Sequence, residues 1–330
     1  MSASHPASPP TFDAVRAAAD RIKGPAVRTP LIHSPALDAR AGARVLLKAE
    51  TLQRTGSFKF RGAYNALLML SEAERARGVV AFSSGNHAQG VAEAAKLLGV
   101  EATIVMPADS PAIKQAGVIA RGAALRLYDR EGESREAITR ALCDETGAAL
   151  IPSFDHPGII AGQGTCGLEI FEDLKARGET AETLICCVGG GGLVGGINLA
   201  AEALSPSTRV FGAEPEGFDD HARSLLSGKR ETNARKSGSV CDALLSESPG
   251  ELTFAINKRR LAGVGVVSDA QALGAVRFAF ETLKLVVEPG GAAALAALLS
   301  GRIDTTGGTI VVVLTGGNVD PGVFARAIGA

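Results

Sequence analysis

The chain has no tryptophan, and aromatic residues make up only 4% of its 330 residues, so its interior cannot be built around large rings. It has no surplus of charge either. With 34 basic and 35 acidic residues the formal net charge is -1, which excludes the strong basic field that nucleic-acid or anionic-membrane binding needs. No window approaches the roughly 18 uninterrupted apolar residues that span a bilayer. The five cysteines (Cys143, Cys166, Cys186, Cys187, Cys241) form no C-x-x-C pair and are odd in number. That argues against a disulfide framework and for a reduced, cytoplasmic compartment. Residues 2–10 hold prolines and serines but neither the basic nor the apolar region of a signal peptide.

What is present is a 46% hydrophobic, largely aliphatic composition with 40 glycines, the make-up of small helices packed on aliphatic strands. Strand-like runs at 45–48, 79–82, 102–106, 124–128, 183–188, 210–213, 264–267 and 310–314 alternate with helical periodicity. The helical stretches include 88–98 and 111–120, the latter with Ser110 as cap and Pro111 in the first turn. This pattern predicts an α/β fold with a parallel sheet covered on both faces, whose carboxyl edge binds the ligand.

Four loops after predicted strands, and one segment near the N-terminus, carry chemistry. The segment is Gly56-Ser57-Phe58-Lys59-Phe60-Arg61-Gly62-Ala63, where burial, or a neighbouring cation such as Arg61, would lower the Lys59 pKa enough for its amine to condense with a carbonyl. Taken alone it also reads as a surface lysine opening a helix. Ser83, Ser84, Asn86 and His87 precede a helix start and suit a carboxylate, or simply a helix cap. Gly189, Gly190, Gly191 and Gly192 leave backbone N–H groups free to wrap a phosphate at a helix N-terminus. Gly190-x-Gly192-x-x-Gly195 with Glu214 also satisfies a dinucleotide fingerprint, so a nicotinamide-dependent dehydrogenase is the competing reading. Four carboxylates within 214–220 suit Mg²⁺ or Ca²⁺, or form a solvated acidic turn. Thr315 closes the last strand.

Together these segments resemble the fold-type II pyridoxal-phosphate enzymes, in the branch of threonine and serine dehydratases and serine racemase. The matching motifs run in family order over nearly the whole chain: GSFKFRGA (56–63), SSGNHAQG (83–90), SRE (134–136), AGQGT (161–165), VGGGGL (188–193), EPEGFDD (214–220), EPGGA (288–292) and LTGGNVD (314–320). The resemblance implies a tryptophan synthase beta-like fold of two doubly wound lobes, with a small lobe (66–153) inserted in a large one (1–65 and 154–330). It implies that Lys59 carries pyridoxal 5'-phosphate and then removes the substrate α-proton. Phe58 would pack beside the ring, Asn86 would bond its hydroxyl, Gly189–Gly192 and Leu193 would hold the phosphate, Glu288 would contact the cofactor, and Thr315 would face the ring nitrogen. A neutral hydroxyl there makes the ring a weaker electron sink and favours β-elimination over transamination.

By the same resemblance, Ser83, Ser84, Asn86, His87, Arg135 and Ser246 would contact the substrate, with Ser84 placed to return a proton on the opposite face. Glu214, the Phe218 carbonyl and Asp220 would hold a divalent ion. The expected activity is a threonine or serine ammonia-lyase; a serine racemase or 3-hydroxyaspartate ammonia-lyase is the near alternative, and a ligand sensor that kept the fold a third. A homodimer with a small amino acid substrate is expected. One departure stands out: Ala243 follows Asp242 where the family usually has glycine.

Overall fold

The computed structural model describes residues 8–330 apart from Ser84, Pro111, Arg130 and Thr306. Two sheets organise it. Strands β1 (Leu31–His33), β2 (Arg44–Ala49), β7 (Thr183–Cys187), β8 (Arg209–Pro215), β9 (Leu261–Val267) and β10 (Thr309–Leu314) form a six-stranded sheet in the order β1-β2-β10-β7-β8-β9. Strands β3 (Val79–Phe82), β4 (Ala102–Pro107), β5 (Ala124–Tyr128) and β6 (Ala149–Leu150) form a four-stranded sheet in the order β5-β4-β3-β6.

All eight predicted strands are present. Their aliphatic runs work because central parallel strands are covered on both faces: Val45, Leu46 and Leu47, and Ile310 through Leu314, are wholly buried. Two departures have simple causes. The large sheet is not purely parallel, because β1 pairs antiparallel with β2 at its edge. Both β1 and β6 are too short to show a periodicity. The helix expected over 111–120 is described as Ala112–Ile119, Ser110 Oγ has no hydrogen-bond partner among the described residues, and Pro111 lies outside them.

The low aromatic content finds its counterpart in helix Pro289–Leu299, whose run of alanines and leucines is buried against the large sheet. Small side chains let that helix sit close to the strands whose ends carry the site. A second device is electrostatic. Helix Lys59–Met69 begins with the reactive-lysine candidate, and two residues on, the wholly buried Arg61 donates to both oxygens of Glu50 (2.8 Å each) and of Glu169 (2.7 and 2.8 Å). Lys48 Nζ completes this network, donating to Glu169 at 2.6 Å and to the Thr29 carbonyl at 2.7 Å. No described helix is long and apolar enough to cross a membrane.

Candidate active site

The carboxyl ends of β3, β6, β7 and β10 border one cavity of about 400 Å³ between the two sheets, within the range of small-molecule sites. Lys59 enters it from the start of its helix. The preceding residues are stitched to the loop after β10: Phe58 N–H donates to the Thr315 carbonyl (3.2 Å), Gly317 N–H to the Gly56 carbonyl (2.9 Å) and Asn318 Nδ2 to the Thr55 carbonyl (2.8 Å). The lysine is thereby anchored to the large sheet without being part of it.

Lys59 Nζ donates to the Ser153 carbonyl at 2.8 Å. Burial pushes its pKa down to about 8, with the Glu288 carboxylate pulling weakly the other way. Arg61 plays no part in that shift. Its guanidinium is committed to Glu50 and Glu169, so the cation that the sequence offered as an activator is a structural pair, and desolvation alone supplies the effect.

Gly189 through Gly192 turn out of β7 into helix Gly192–Leu204, whose first N–H groups have no partner within the helix. Gly191 adopts φ +91°, open to glycine, and its missing Cβ would lie 2.7 Å from His221 Nε2 and 2.8 Å from Asn257 Nδ2. A Cβ on Gly190 would run into the ring of Phe154. Side chains thus pack closely round the cradle, and the glycines themselves add none that would cover its backbone N–H groups. This donor set fits a phosphate, and an amine of lowered pKa on the same cavity fits an aldehyde.

Asn86 opens helix Asn86–Leu98, yet its side chain does not cap it. Its Nδ2 donates to Glu288 Oε1 (2.5 Å) and its Oδ1 accepts from Asn318 Nδ2 (2.7 Å). Burial, reinforced by Asp242, raises Glu288 to about 7. Thr315 lines the cavity at the end of β10. His87 Nε2 lies 2.9 Å from the Ile151 carbonyl, and burial together with Lys59 drives its pKa to about 3, so it sits in the wall as a neutral imidazole.

Of the substrate-contact candidates, Ser83, Asn86, His87, Arg135 and Ser246 line this cavity, as do the cofactor candidates Phe58, Lys59, Gly189–Gly192, Leu193, Glu288 and Thr315. Ser84 lies outside the described residues. Arg135 Nε donates to Glu136 Oε1 at 2.7 Å, and its guanidinium carbon stands 5.0 Å from the centroid of the Phe82 ring. Its terminal nitrogens have no hydrogen-bond partner among the described residues.

Sequence reasoning missed Phe154, Lys114 and Asp242 as cavity-lining residues. Phe154 follows the two-residue strand β6, and a recognised strand there would have marked its loop as another carboxyl-edge loop. Lys114 Nζ reaches across from helix Ala112–Ile119 to Asp242 Oδ2 (2.6 Å), a pairing with no local signal. Ala243, the departure noted above, also faces the cavity.

Away from the cavity, Glu214, Asp220 and His221 are wholly buried and bring ligand atoms within 4.8 Å of one another. Glu214 accepts the N–H groups of His221 and Ala222 (3.0 Å each), so it caps helix Asp220–Ser227 and is not presented to a ribose. That removes the acidic partner of the dinucleotide reading. Asp220 Oδ2 and His221 Nδ1 have no hydrogen-bond partner among the described residues. Burial would hold His221 neutral, but the two carboxylates outweigh it and raise the imidazole to about 9. His221 was not foreseen as part of this cluster.

A family model described as pyridoxal-phosphate dependent enzyme matches residues 22–316. The chain is 46% identical to the L-threo-3-hydroxyaspartate ammonia-lyase of a Pseudomonas species, over 92% of this chain and 93% of that protein. Among solved structures, maize serine racemase superposes with a TM-score of 0.91 at 37% identity, covering 97% of each chain. A threonine deaminase from T.th. superposes with a TM-score of 0.88 at 45% identity, covering 94% of this chain and 99% of that one.

Proposed function

The chain belongs to the pyridoxal-phosphate dependent enzymes, in the fold-type II group of ammonia-lyases and racemases, and on that premise we propose that it is a β-hydroxy amino acid ammonia-lyase favouring the acidic substrate L-threo-3-hydroxyaspartate. The sequence pointed first to serine or threonine. Arg135 moves the choice: a guanidinium on the cavity wall with its terminal nitrogens unpaired suits a second carboxylate and gives nothing to a methyl group.

In this reading Lys59 would hold the cofactor, the N–H groups of Gly189–Gly192 and Leu193 would hold its phosphate, and Phe58, Asn86 and Glu288, which line the same cavity, would contact its ring. Bound there, pyridoxal 5'-phosphate withdraws electrons from the substrate α-carbon and so acidifies its proton. Lys59 Nζ, its pKa lowered by burial, takes that proton. Ser83, Asn86 and the start of the following helix hold the α-carboxylate. His87, without charge, closes the wall without competing for it. Thr315, which lines the cavity, would offer a hydroxyl and not a carboxylate to the ring nitrogen, and a neutral partner there would keep the electron sink weak and favour departure of the β-hydroxyl. Loss of water leaves an enamine, and its hydrolysis takes up one water and releases ammonia, so the net products are a 2-oxo dicarboxylic acid and ammonia. Residues 66–153 act as the closing lobe that excludes water.

Measured by release of oxo acid, kcat/KM is expected to be higher for L-threo-3-hydroxyaspartate than for L-threonine or L-serine. Arg135→Met should lower the acidic value by about 10–100-fold, the worth of a hydrogen-bonded charge pair, while sparing L-threonine. A native preference for threonine, or an indifferent Arg135→Met, would return the assignment to a neutral substrate.

Glu214 and Asp220, with the Phe218 carbonyl, would hold Mg²⁺ or Ca²⁺: His221 offsets only one of the two buried carboxylates, and Asp220 Oδ2 accepts no hydrogen bond among the described residues, so negative charge is left that a cation would balance. Removing divalent ions with a chelator should lower the melting temperature and activity together, by the equivalent of about 2.7 kcal/mol if the ion stood at a hundredfold its Kd. No change in either after proven removal rejects the ion's role.

A further inference from the structure

We propose that Phe82 sets substrate specificity by positioning Arg135: its ring aims the guanidinium at the side-chain carboxylate of a dicarboxylic β-hydroxy amino acid. The inference rests on the acidic-substrate reading above and names what fixes it.

Arg135 is the first residue of helix Arg135–Thr146, and its side chain is 47% exposed. A long flexible side chain in that setting loses much rotamer freedom when it binds, so whatever orients it beforehand strengthens binding. Two contacts do so. The guanidinium carbon lies 5.0 Å from the Phe82 ring centroid, within cation–π reach, and Nε is held by Glu136 at 2.7 Å. The ring contact holds the group over Phe82 and the Nε bond restrains its rotation. The edge left over, the two terminal nitrogens, is one that can grip a carboxylate with two parallel bonds.

The ring is itself held. Phe82 ends β3 in register with Val105, and it packs against the cluster of Val80, Val105 and Tyr128 together with Ile138 and Leu142 of the Arg135 helix. The next residue, Ser83, begins the loop for the α-carboxylate. One strand end therefore sets the positions of both acid-binding points and the spacing between them. An aliphatic residue at 82 would fill the cluster but offer no ring face.

The test compares kcat/KM for L-threo-3-hydroxyaspartate and for L-threonine in the native holoenzyme and in Phe82→Leu, Phe82→Tyr, Arg135→Met and the Phe82→Leu/Arg135→Met double variant. Cofactor absorbance confirms that each is loaded. Phe82→Leu should lower the acidic-to-neutral ratio about fivefold, mainly through KM for the acidic substrate. Phe82→Tyr, which keeps the ring face, should stay within about twofold of native. In the Arg135→Met background Phe82→Leu should leave the ratio unchanged, since the ring acts through the arginine. An unchanged ratio in Phe82→Leu, or an equal loss in both backgrounds, overturns the inference while leaving the acidic-substrate reading intact. An indifferent Arg135→Met overturns both. Should the leucine variant fail to retain cofactor, Phe82→Met takes its place in the same comparison.

Discussion

Lys59→Ala is expected to abolish turnover, with a loss of at least about 10⁴-fold in oxo-acid release, because the same amine holds the cofactor and moves the substrate proton. No neighbour can replace it. The other lysine on the cavity, Lys114, is paired with Asp242 at 2.6 Å, and His87 is too weak a base, its pKa driven to about 3. The native protein should be yellow and lose that colour on borohydride treatment, with one added group on the peptide carrying Lys59. The variant should bind cofactor without covalent attachment, since the glycine cradle is intact. Normal turnover by Lys59→Ala, or borohydride labelling at another lysine, would remove the mechanism.

Arg61→Met should cost about 3–5 kcal/mol of stability, the penalty for leaving a buried ion network without its central cation, and lower the melting temperature by about 5–10 °C. Two carboxylates, Glu50 and Glu169, share this guanidinium, and Glu50 is wholly buried. The sign of the pH dependence follows from Glu50. Burial would raise its pKa, but Arg61 outweighs that and holds it below the ordinary value. In the native protein the stabilisation is therefore present above the usual carboxylate range, near pH 4, and is lost only as pH falls through the lower folded value. Without Arg61 burial dominates, Glu50 prefers its protonated form, and the stability gap between variant and native should narrow as pH is lowered from 7 towards 4. Denaturant melts at several pH values measure this. A constant gap would mean that the network's charge is not what the fold depends on.

These two residues stand two positions apart in one motif, and the sequence made only one of them legible. Lys59 was readable because glycine, serine and aromatics around a lysine are a local signature. Arg61 was read as an activating cation because its partners lie far along the chain: Glu169 is 108 positions away. The eight strands and the glycine cradle were legible for the same local reason as Lys59, while β1 and β6, three and two residues long, carried too little pattern. Phe154, Lys114 and His221 had no signature at all, since each matters through a neighbour brought in by folding.

What the sequence determined by itself is the set of chemical groups: an amine, a run of bare backbone, a hydroxyl at a strand end and paired carboxylates, each in a turn whose composition dictates its shape. Tertiary structure decided their states. How far the Lys59 pKa falls, whether Asn86 caps a helix or binds Glu288 202 positions on, and where Arg135 points all depend on burial and on contacts between distant segments. Dielectric environment and partner distance are properties of the packed chain, and no window of neighbouring residues contains them.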